Sequence, residues 1–270
     1  MTERSEKRSE RTSTSLKDCV WVKRMSYEEY TIEGRNAVIE AIRAGKDIDK
    51  LYVLDGCQDG PIVTIKREAK KTDALIKYVT KERLDQMSQT GHHQGVIAQA
   101  AAYNYAEVDD ILEVAKEKNE DPFIFILDGI EDPHNLGAII RTANIAGAHG
   151  VIIPKNRAVG LTATVNRSSA GALSYTKVAK VTNIGKTIED LKNKGIWFVC
   201  ADMSGEVMYR QNLTGPIGLV IGNEGDGVSR LVREKCDYVT SIPMKGEIES
   251  LNASVAAGIL AYEIVRQRLG

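Results

Sequence analysis

Five consecutive apolar residues at positions 123–127, Phe-Ile-Phe-Ile-Leu, constrain the fold of this chain more than any other feature of its sequence. A strand with one face in water alternates apolar and polar residues, so a continuous apolar run predicts a strand buried on both faces. Similar runs occur at 151–153, 196–199 and 217–221. Together they predict an α/β domain whose mostly parallel sheet is covered by helices on both faces.

The segments between these runs show the apolar spacing of helices, at 136–146, 162–170, 184–194 and 228–234. A shorter alternation of helices and strands precedes them and predicts a separate small α/β domain. The predicted organisation is a flexible tail at 1–28, a small domain at 29–101, a linker at 102–121 and a large domain at 122–270. The tail is predicted to be flexible because its Lys, Arg, Glu and Ser residues offer almost no surface to bury.

Composition narrows the class of protein. The formal net charge of the 270 residues is −1, so a nucleic-acid-binding surface would have to come from local clustering of basic residues. The four cysteines are widely spaced and form no CxxC pair, which argues against a disulfide scaffold and a zinc site. The adjacent His92 and His93 precede a predicted strand and are interpreted as a turn, so no metal site is predicted.

No apolar run approaches the ~20 residues of a membrane span, and we expect a cytoplasmic protein with no membrane partner.

Three polar loops follow predicted strands, at 128–135, at 222–227 and after Ile242. Ligands of parallel sheets gather at the carboxyl ends of the strands, so these loops are predicted to lie near one ligand site. The second loop, Gly-Asn-Glu-Gly-Asp-Gly, is neither a dinucleotide fingerprint nor a Walker loop, which argues against a nicotinamide dehydrogenase. The third loop precedes an Ala-rich helix, and Ser250 or Asn252 is its predicted N-cap. Asn135 is interpreted in the same way as a cap of the helix that follows the first loop.

The sequences of these loops resemble a known family. The strings DPHNLGAIIRTANIAG (132–147), GLVIGNEGDGV (218–228) and IPMKGEIESLNASVAAGI (242–259) are similar to the three signature motifs of the SpoU (TrmH) family of RNA ribose 2′-O-methyltransferases, in the SPOUT superfamily. The string IEGRNAVIEAI (32–42) resembles the start of a ribosomal-protein-like RNA-binding domain found in the ribosomal RNA branch of that family. The chain is most similar to the branch that methylates a guanosine ribose of 23S rRNA.

The resemblance implies a trefoil knot in the large domain, S-adenosylmethionine as cofactor, and a homodimer formed through the catalytic domains. It implies that the cofactor is contacted by Gly222, Asn223, Ile242, Leu251 and Ala201. The implied catalytic residue is Arg141, surrounded by Asn135, Glu224, Ser250 and Asn252. No metal is required by this chemistry.

The implied reaction methylates a ribose hydroxyl, which is a poor nucleophile at neutral pH. An arginine side chain has a reference pKa above ~12 and is a poor general base, so Arg141 is expected to clamp a phosphate and lower the hydroxyl pKa electrostatically. Asn135 and Glu224 are expected to orient Arg141 and the ribose, while Ser250 and Asn252 shape their loop. The predicted RNA contacts are the basic residues Arg35, Lys155, Arg157, Arg167 and Lys245.

Three other functions stay open at this stage. Two are close variants, a tRNA ribose methyltransferase and an rRNA-methylating enzyme of antibiotic resistance. The third is an RNA-binding protein that kept the fold and lost its activity. The simultaneous presence of Asn135, Arg141, Glu224, Ser250 and Asn252 at the motif positions argues against the third.

Overall fold

A computed structural model describes residues 31–72, 74–101, 103–247 and 250–270. The predicted flexible tail at 1–28 lies outside the described residues. In the part of the chain that is described, no helix has both the length and the apolar character that crossing a membrane demands.

The front domain, residues 31–101, is a four-stranded sheet with three helices among its described residues. Its strands are β1 (Thr31–Glu33), β2 (Ile48–Leu54), β3 (Leu75–Val79) and β4 (Val96–Ala100). Its helices are α1 (Arg35–Arg43), α2 (Gly60–Lys71) and α3 (Lys81–Met87). The strand order is β1-β4-β2-β3, in which β2 and β3 are parallel and the other pairs antiparallel. Apolar residues of α1, α2 and β2, among them Val38, Ile62 and Leu51, form a small core of their own.

Much of the segment 102–121, predicted as a linker, packs against the domain that follows. Helix α4 (Val108–Lys118) begins after Glu107, whose backbone N–H donates to Asp110 Oδ2 at 2.9 Å. Ile111 is fully buried in one core of the large sheet. The described residues between β4 and α4 are few, 101 and 103–107, so the connection is short. We use the term large domain for residues 108–270.

The large domain contains a six-stranded sheet in which every neighbouring pair is parallel. Its strands are β5 (Phe123–Asp128), β6 (Gly150–Pro154), β7 (Lys177–Val181), β8 (Trp197–Val207), β9 (Ile217–Gly222) and β10 (Tyr238–Ser241), in the order β10-β8-β9-β5-β6-β7. Phe123, Phe125 and Leu127 of β5 belong to one core, and Ile124 and Ile126 belong to the other. The predicted parallel sheet with two buried faces is confirmed.

Helices cover both faces of this sheet. Residues of α5 (Pro133–Ile145), α6 (Ala163–Ser168) and α9 (Ala253–Leu269) contribute to the first core. Residues of α4, α7 (Ile184–Lys192) and α8 (Arg230–Arg233) contribute to the second. The edge strand β7 was absent from the sequence-based assignment, because its five residues carry two lysines and give no continuous apolar run. The trefoil knot stays a prediction.

Candidate active site

A cavity of about 290 Å³ lies at the carboxyl ends of β9 and β10. This volume is close to the lower end of the range of small-molecule sites. The cavity is lined by the loop after β9, the loop after β10, the start of α9 and the middle of β8. The second and third polar loops of the sequence therefore meet, as predicted from the behaviour of parallel sheets.

The loop after β9 can form only with glycine at its first position. A Cβ atom on Gly222 would lie 2.0 Å from the backbone carbon of Gly227, so any side chain there would displace the loop. The turn is completed by Asn223, whose Oδ1 accepts the N–H groups of Gly225 at 2.9 Å and Asp226 at 2.7 Å. Gly227 has a φ of +68°, a conformation that glycine adopts without strain. These constraints bring the loop backbone to the cavity wall.

A long bulge in β8 forms the opposite wall. Val239 of β10 is paired with Cys200, whereas the next residue, Thr240, is paired with Glu206. Residues 201–205 consequently leave the ladder between the two strands. The cavity is lined there by Ala201, Asp202 and Met203.

Asp202 is the acidic residue of this bulge. Its Oδ1 accepts hydrogen bonds from the hydroxyl of Ser204 at 2.6 Å and from the backbone N–H of Ser204 at 2.9 Å. Its other oxygen lies 3.3 Å from Arg233. The hydrogen bonds from Ser204 and the positive charge of Arg233 hold the pKa of Asp202 below its usual value. The wall therefore presents a stable negative charge at neutral pH.

Three side chains from the three polar loops form one hydrogen-bonded group, which we call the active-site cluster: Asn135, Glu224 and Asn252. Asn135 donates to Glu224 Oε1 at 3.0 Å, and Asn252 donates to Asn135 Oδ1 at 3.0 Å. Asn252 also donates to Glu224, as does the backbone N–H of Ala253 at 3.4 Å. The first loop thus joins the other two, through residues 89 and 117 positions apart in sequence.

Asn252 also caps the N-terminus of α9. Its Oδ1 accepts the backbone N–H of Ser254 at 3.0 Å and that of Val255 at 3.4 Å, which makes it the N-cap of α9. Of the two caps predicted for this helix, Asn252 is the one observed. Ser250 is exposed and lines the cavity.

The prediction that Asn135 caps the helix after the first loop is wrong. Asp132 caps α5 by accepting the N–H of His134 at 2.8 Å, and Pro133 is the first helical residue. Asn135 lies inside the first turn and is buried, because its side chain is directed to Glu224 instead of the helix terminus.

Arg141 lies on α5 but outside the active-site cluster. Its side chain is exposed and forms no hydrogen bond or ion pair with any residue that the structure describes. Six residues separate it from Asn135, a rotation of about 600° around the helix, so the two side chains leave the helix about 120° apart. Within one chain, Asn135 and Glu224 are therefore hydrogen-bonded to each other and not to Arg141.

All five predicted cofactor residues line the cavity: Ala201, Gly222, Asn223, Ile242 and Leu251. Other lining residues carried no signal in the sequence, among them Met203, Met244 and Ala256. Met203 belongs to the bulge of β8, which depends on pairing with a distant strand. Ala256 is an ordinary helix residue whose position follows only from the placement of α9.

A second space, a depression of about 330 Å³, adjoins the cavity on the side of the first loop. Both spaces are lined by Asn223, Glu224, Gly225 and Asp226, whereas Asn135 lines only the depression. The carboxylate of Glu224 therefore stands between the cavity and a depression whose lining includes the carboxyl groups of Glu131 and Asp132. Such an arrangement allows two ligands to meet at one side chain.

The predicted RNA-binding residues differ in their surroundings. Arg35 is bound within the front domain, 2.6 Å from Asp59 and 3.0 Å from the carbonyl of Gln94. Lys155 is partly buried after β6, and Arg167 donates to Thr164 Oγ1 at 3.0 Å.

The other two basic residues are exposed, as is Arg167, and both lie close to the cavity. Arg157 lines a cleft of about 670 Å³ that shares Asn223 and Asp226 with the cofactor-sized cavity. Lys245 lies in the loop after β10. Arg157 and Lys245 are thus near the active-site edge, whereas Arg35 lies in the front domain and is paired there with Asp59.

Comparison with known proteins agrees with this geometry. The model of the SpoU rRNA methylase family matches residues 122–262, which is more than half of the chain. This chain belongs to the SpoU family. A second model, for the substrate-binding domain of RNA 2′-O ribose methyltransferases, matches residues 31–106, in agreement with the resemblance of the front domain.

Relatives of this SpoU chain include YacO of Bacillus subtilis, named as a TrmH family tRNA/rRNA methyltransferase. It is 51% identical over 246 residues, covering 90% of this chain and 98% of YacO. A Staphylococcus aureus protein named in the same way is 46% identical over 243 residues, covering 89% of this chain and 97% of the relative. These names leave the type of RNA open.

Solved structures show the same fold. The SpoU methyltransferase AviRb of Streptomyces viridochromogenes is 29% identical, with a TM-score of 0.57 over 89% of this chain and 90% of AviRb. A crystal structure of AviRb in complex with AdoMet is 27% identical, with a TM-score of 0.56 over 88% and 90% of the two chains. In this SpoU chain, the described residues contain no group of three or more His, Cys, Asp or Glu side chains placed to hold a metal ion.

Proposed function

We propose that this chain transfers a methyl group from S-adenosylmethionine to a ribose 2′-hydroxyl of RNA, with a guanosine of 23S rRNA as the first candidate. The observation that carries the proposal is the active-site cluster, which joins three loops beside a cavity of about 290 Å³. Membership of the SpoU family supports RNA as the substrate. This substrate places the proposed activity in the cytoplasm.

The cavity fits an adenosyl group. Ile242 and Leu251 supply apolar surface for a flat ring, and the absence of a side chain at Gly222 brings backbone groups to the cavity. Asp202 and Ser250 supply polar atoms elsewhere in the wall. The AdoMet complex of AviRb supports the same cofactor here. When bound, S-adenosylmethionine supplies an electrophilic methyl group.

Glu224 is assigned to the ribose. Its Oε1 accepts hydrogen bonds from Asn135, Asn252 and the backbone of Ala253, which fix the carboxylate without neutralising its charge. Its second oxygen is therefore available to orient a hydroxyl group. A carboxylate held in place before the substrate arrives costs little reorganisation during the reaction.

Arg141 is assigned to an RNA phosphate next to the target ribose. A bound guanidinium lowers the pKa of a nearby hydroxyl because it stabilises the developing negative charge. We expect Arg141→Lys to lower kcat by about 100-fold, since lysine cannot make the same bidentate contact. Single-turnover assays at saturating cofactor measure this loss, and near-normal turnover of the lysine variant would exclude a bidentate role.

A homodimer would bring Arg141 to a complete site. Ile145 of α5 is 61% exposed, and Val255 and Tyr262 of α9 are 49% and 50% exposed. The two helices are in contact, since an added Cβ on Gly258 would lie 3.9 Å from Thr142. Pairing of two chains through this apolar face would cover it and bring Arg141 of one chain towards the cavity of the other.

The exposed basic residues Arg157, Arg167 and Lys245 are proposed to contact the RNA backbone. Binding should then weaken as the salt concentration rises, because each phosphate contact releases counterions.

The deciding experiment uses a labelled methyl donor with separated RNA pools. The purified chain is incubated with methyl-labelled S-adenosylmethionine and with unmodified 23S rRNA, 16S rRNA or tRNA. Label in 23S rRNA supports the first candidate, and label in tRNA alone replaces it with the tRNA alternative. An absence of label in every pool, together with no cofactor binding in a calorimetric titration, would leave a non-catalytic RNA-binding protein.

A further inference from the structure

A buried carboxylate lies where the front domain meets the large domain. Asp49 belongs to β2 and is only 5% exposed. Its Oδ1 accepts a hydrogen bond from the hydroxyl of Tyr105 at 2.6 Å and lies 2.5 Å from the ammonium group of Lys180. Lys180 belongs to β7 of the large domain, and Tyr105 belongs to the connection between the domains. We call Asp49, Tyr105 and Lys180 the domain joint.

The joint is closed by a residue that cannot carry a side chain. A Cβ atom on Gly160 would lie 2.3 Å from Asp49 Oδ2, so the large domain approaches the carboxylate through bare backbone. The next residue, Leu161, donates its N–H to the Tyr105 hydroxyl at 3.0 Å. The Tyr105 hydroxyl thus accepts a hydrogen bond from Leu161 of the large domain and donates one to Asp49 of the front domain. Burial and the charge of Asp49 raise the pKa of Tyr105 well above its usual value, so its hydroxyl keeps the proton that it donates.

The connection itself is attached at several points. The N–H of Tyr105 donates to Asp47 at 3.0 Å, and the N–H of Ala106 donates to the carbonyl of Val178 at 2.9 Å. The hydroxyl of Tyr103 donates to Asn166 at 3.0 Å. These bonds fasten the connection to both domains and limit their relative motion.

The joint lies beside the active-site edge. The loop that contains Gly160 also contains Val159, whose N–H donates to the carbonyl of Ile130 at 3.0 Å. Ile130 belongs to the first polar loop, which leads into α5 and Asn135. Burial lowers the pKa of Lys50, next to Asp49, and the negative charge of Glu131 in the same loop opposes this decrease. The front domain is therefore held against the edge where the proposed substrate binds.

Stability alone does not account for such a pair. Burying two charges costs about as much as their attraction returns, and apolar replacements of buried pairs are often neutral or stabilising. The better-attested use of buried ionic groups is to specify one arrangement among several. A charged joint between two domains fits that use.

We propose that Asp49 is a positioning residue, which locks the front domain in one orientation so that one folded RNA contacts both domains at a fixed separation. This inference rests on the proposed RNA methyl transfer and adds a geometric requirement on the substrate. Asp49 does not touch the reacting atoms. Its loss should therefore weaken recognition of the RNA and leave the chemical step intact.

The test compares the full-length wild type with Asp49→Asn, Lys180→Met and the double variant, which removes both charges and keeps the approximate shape. We expect the RNA KM to rise about tenfold in each, with kcat at saturating RNA and the Kd for S-adenosylmethionine within about twofold of wild type. Tyr105→Phe, which keeps the ring and loses the hydroxyl, should show a smaller rise in KM.

The matched control is Lys192→Met, which breaks an ion pair of 2.6 Å with Asp237 inside the large domain. It should leave the RNA KM unchanged. Small-angle X-ray scattering provides a second readout that needs no activity: variants of the joint should show a larger maximum dimension, and the control should not.

An unchanged RNA KM together with unchanged scattering in the double variant would overturn the proposal. An equal rise in KM for Lys192→Met would also overturn it, since the effect would then follow from general loss of stability. If the wild type methylates no RNA, the proposed function fails, and the scattering comparison still decides whether the joint fixes the domains.

Discussion

The active-site cluster and the domain joint are both polar groups built from residues far apart in sequence, and they differ in charge and surroundings. The cluster sets two neutral amides around one carboxylate and lies between two open spaces. The joint pairs a carboxylate with an ammonium group and is closed over by backbone. The carboxylate of Glu224 has no positively charged partner in the cluster and borders open space, so it can act on a ligand. The carboxylate of Asp49 is paired with Lys180 and enclosed, so its role is to hold the two domains together.

The strongest way to test this contrast is to remove the charge of the cluster. Glu224→Gln keeps the shape of the side chain and should lower kcat at least about 100-fold, because the fixed negative charge near the ribose is lost. The Kd for S-adenosylmethionine and the melting temperature should change little. The control is Glu247→Gln, an exposed carboxylate of the third loop outside the cavity lining. Equal kcat values for the two variants would remove Glu224 from the reaction.

Variants of the domain joint should have the next largest effect, the rise of about tenfold in RNA KM described above. The cluster and the joint should differ most clearly in which kinetic constant their variants change. Cluster variants should lower kcat, and joint variants should raise KM. A joint variant that lowered kcat at saturating RNA without changing KM would erase the distinction.

An effect of similar size separates the two roles of Asn252, as hydrogen-bond donor to Glu224 and as helix cap. Serine caps a helix about as well as asparagine but cannot reach Glu224 with an amide, so Asn252→Ser should lower kcat by roughly tenfold at nearly unchanged stability. Asn252→Ala loses the cap as well and should lower the free energy of unfolding by about 1 kcal/mol more. Urea unfolding and single-turnover assays measure the two quantities. If Asn252→Ser kept full activity, the residue would serve only as a cap.

The smallest effect concerns His149, at the amino-terminal end of β6, where the strands of the large sheet begin. His149 has no exposed side-chain surface, accepts the N–H of Phe123 at Nδ1 and lies 3.1 Å from Glu120. Burial lowers its pKa in spite of Glu120. The unfolded chain therefore takes up a proton below about pH 6.5 that the folded chain resists, so the stability is complete above that pH and falls below it.

Between pH 6.5 and 5.5 the wild type should lose unfolding free energy relative to His149→Gln, by at most about 1 kcal/mol for a single proton. Urea titrations at both pH values measure this difference, and kcat of the variant should equal that of the wild type. An identical pH dependence in both proteins would show that His149 is not buried in its neutral form.

The sequence predicted the large sheet well because the evidence for it is local. The composition of a strand such as 123–127 is enough to predict burial on both faces. The five residues that the family motifs predict as cofactor contacts lie near strand ends and line one cavity. The bulge of β8 could not be predicted in this way. The bulge exists because β10 pairs with β8 on both sides of residues 201–205. The sequence of one strand does not determine which residues of another strand it pairs with.

The domain joint was also out of reach. Asp49 stands in a strand beside Lys50 and resembles any surface aspartate until Lys180, 131 residues later, is brought next to it. The active-site cluster was predicted only in part. The motifs brought Asn135, Glu224 and Asn252 to one place, and the six-residue spacing already separates Arg141 from Asn135 by about 120° around a helix. The hydrogen bonds that join the three side chains could not be predicted, because they depend on where distant loops meet in the folded chain.

The most direct test of the account is the position of the transferred methyl group. RNA labelled by the wild type with methyl-labelled S-adenosylmethionine is hydrolysed in alkali, which cannot cleave the chain after a 2′-O-methylated ribose. The account predicts that the label is recovered in one alkali-stable dinucleotide, and that Glu224→Gln yields none above background. Label recovered in single nucleotides, as for a methylated base, would contradict it.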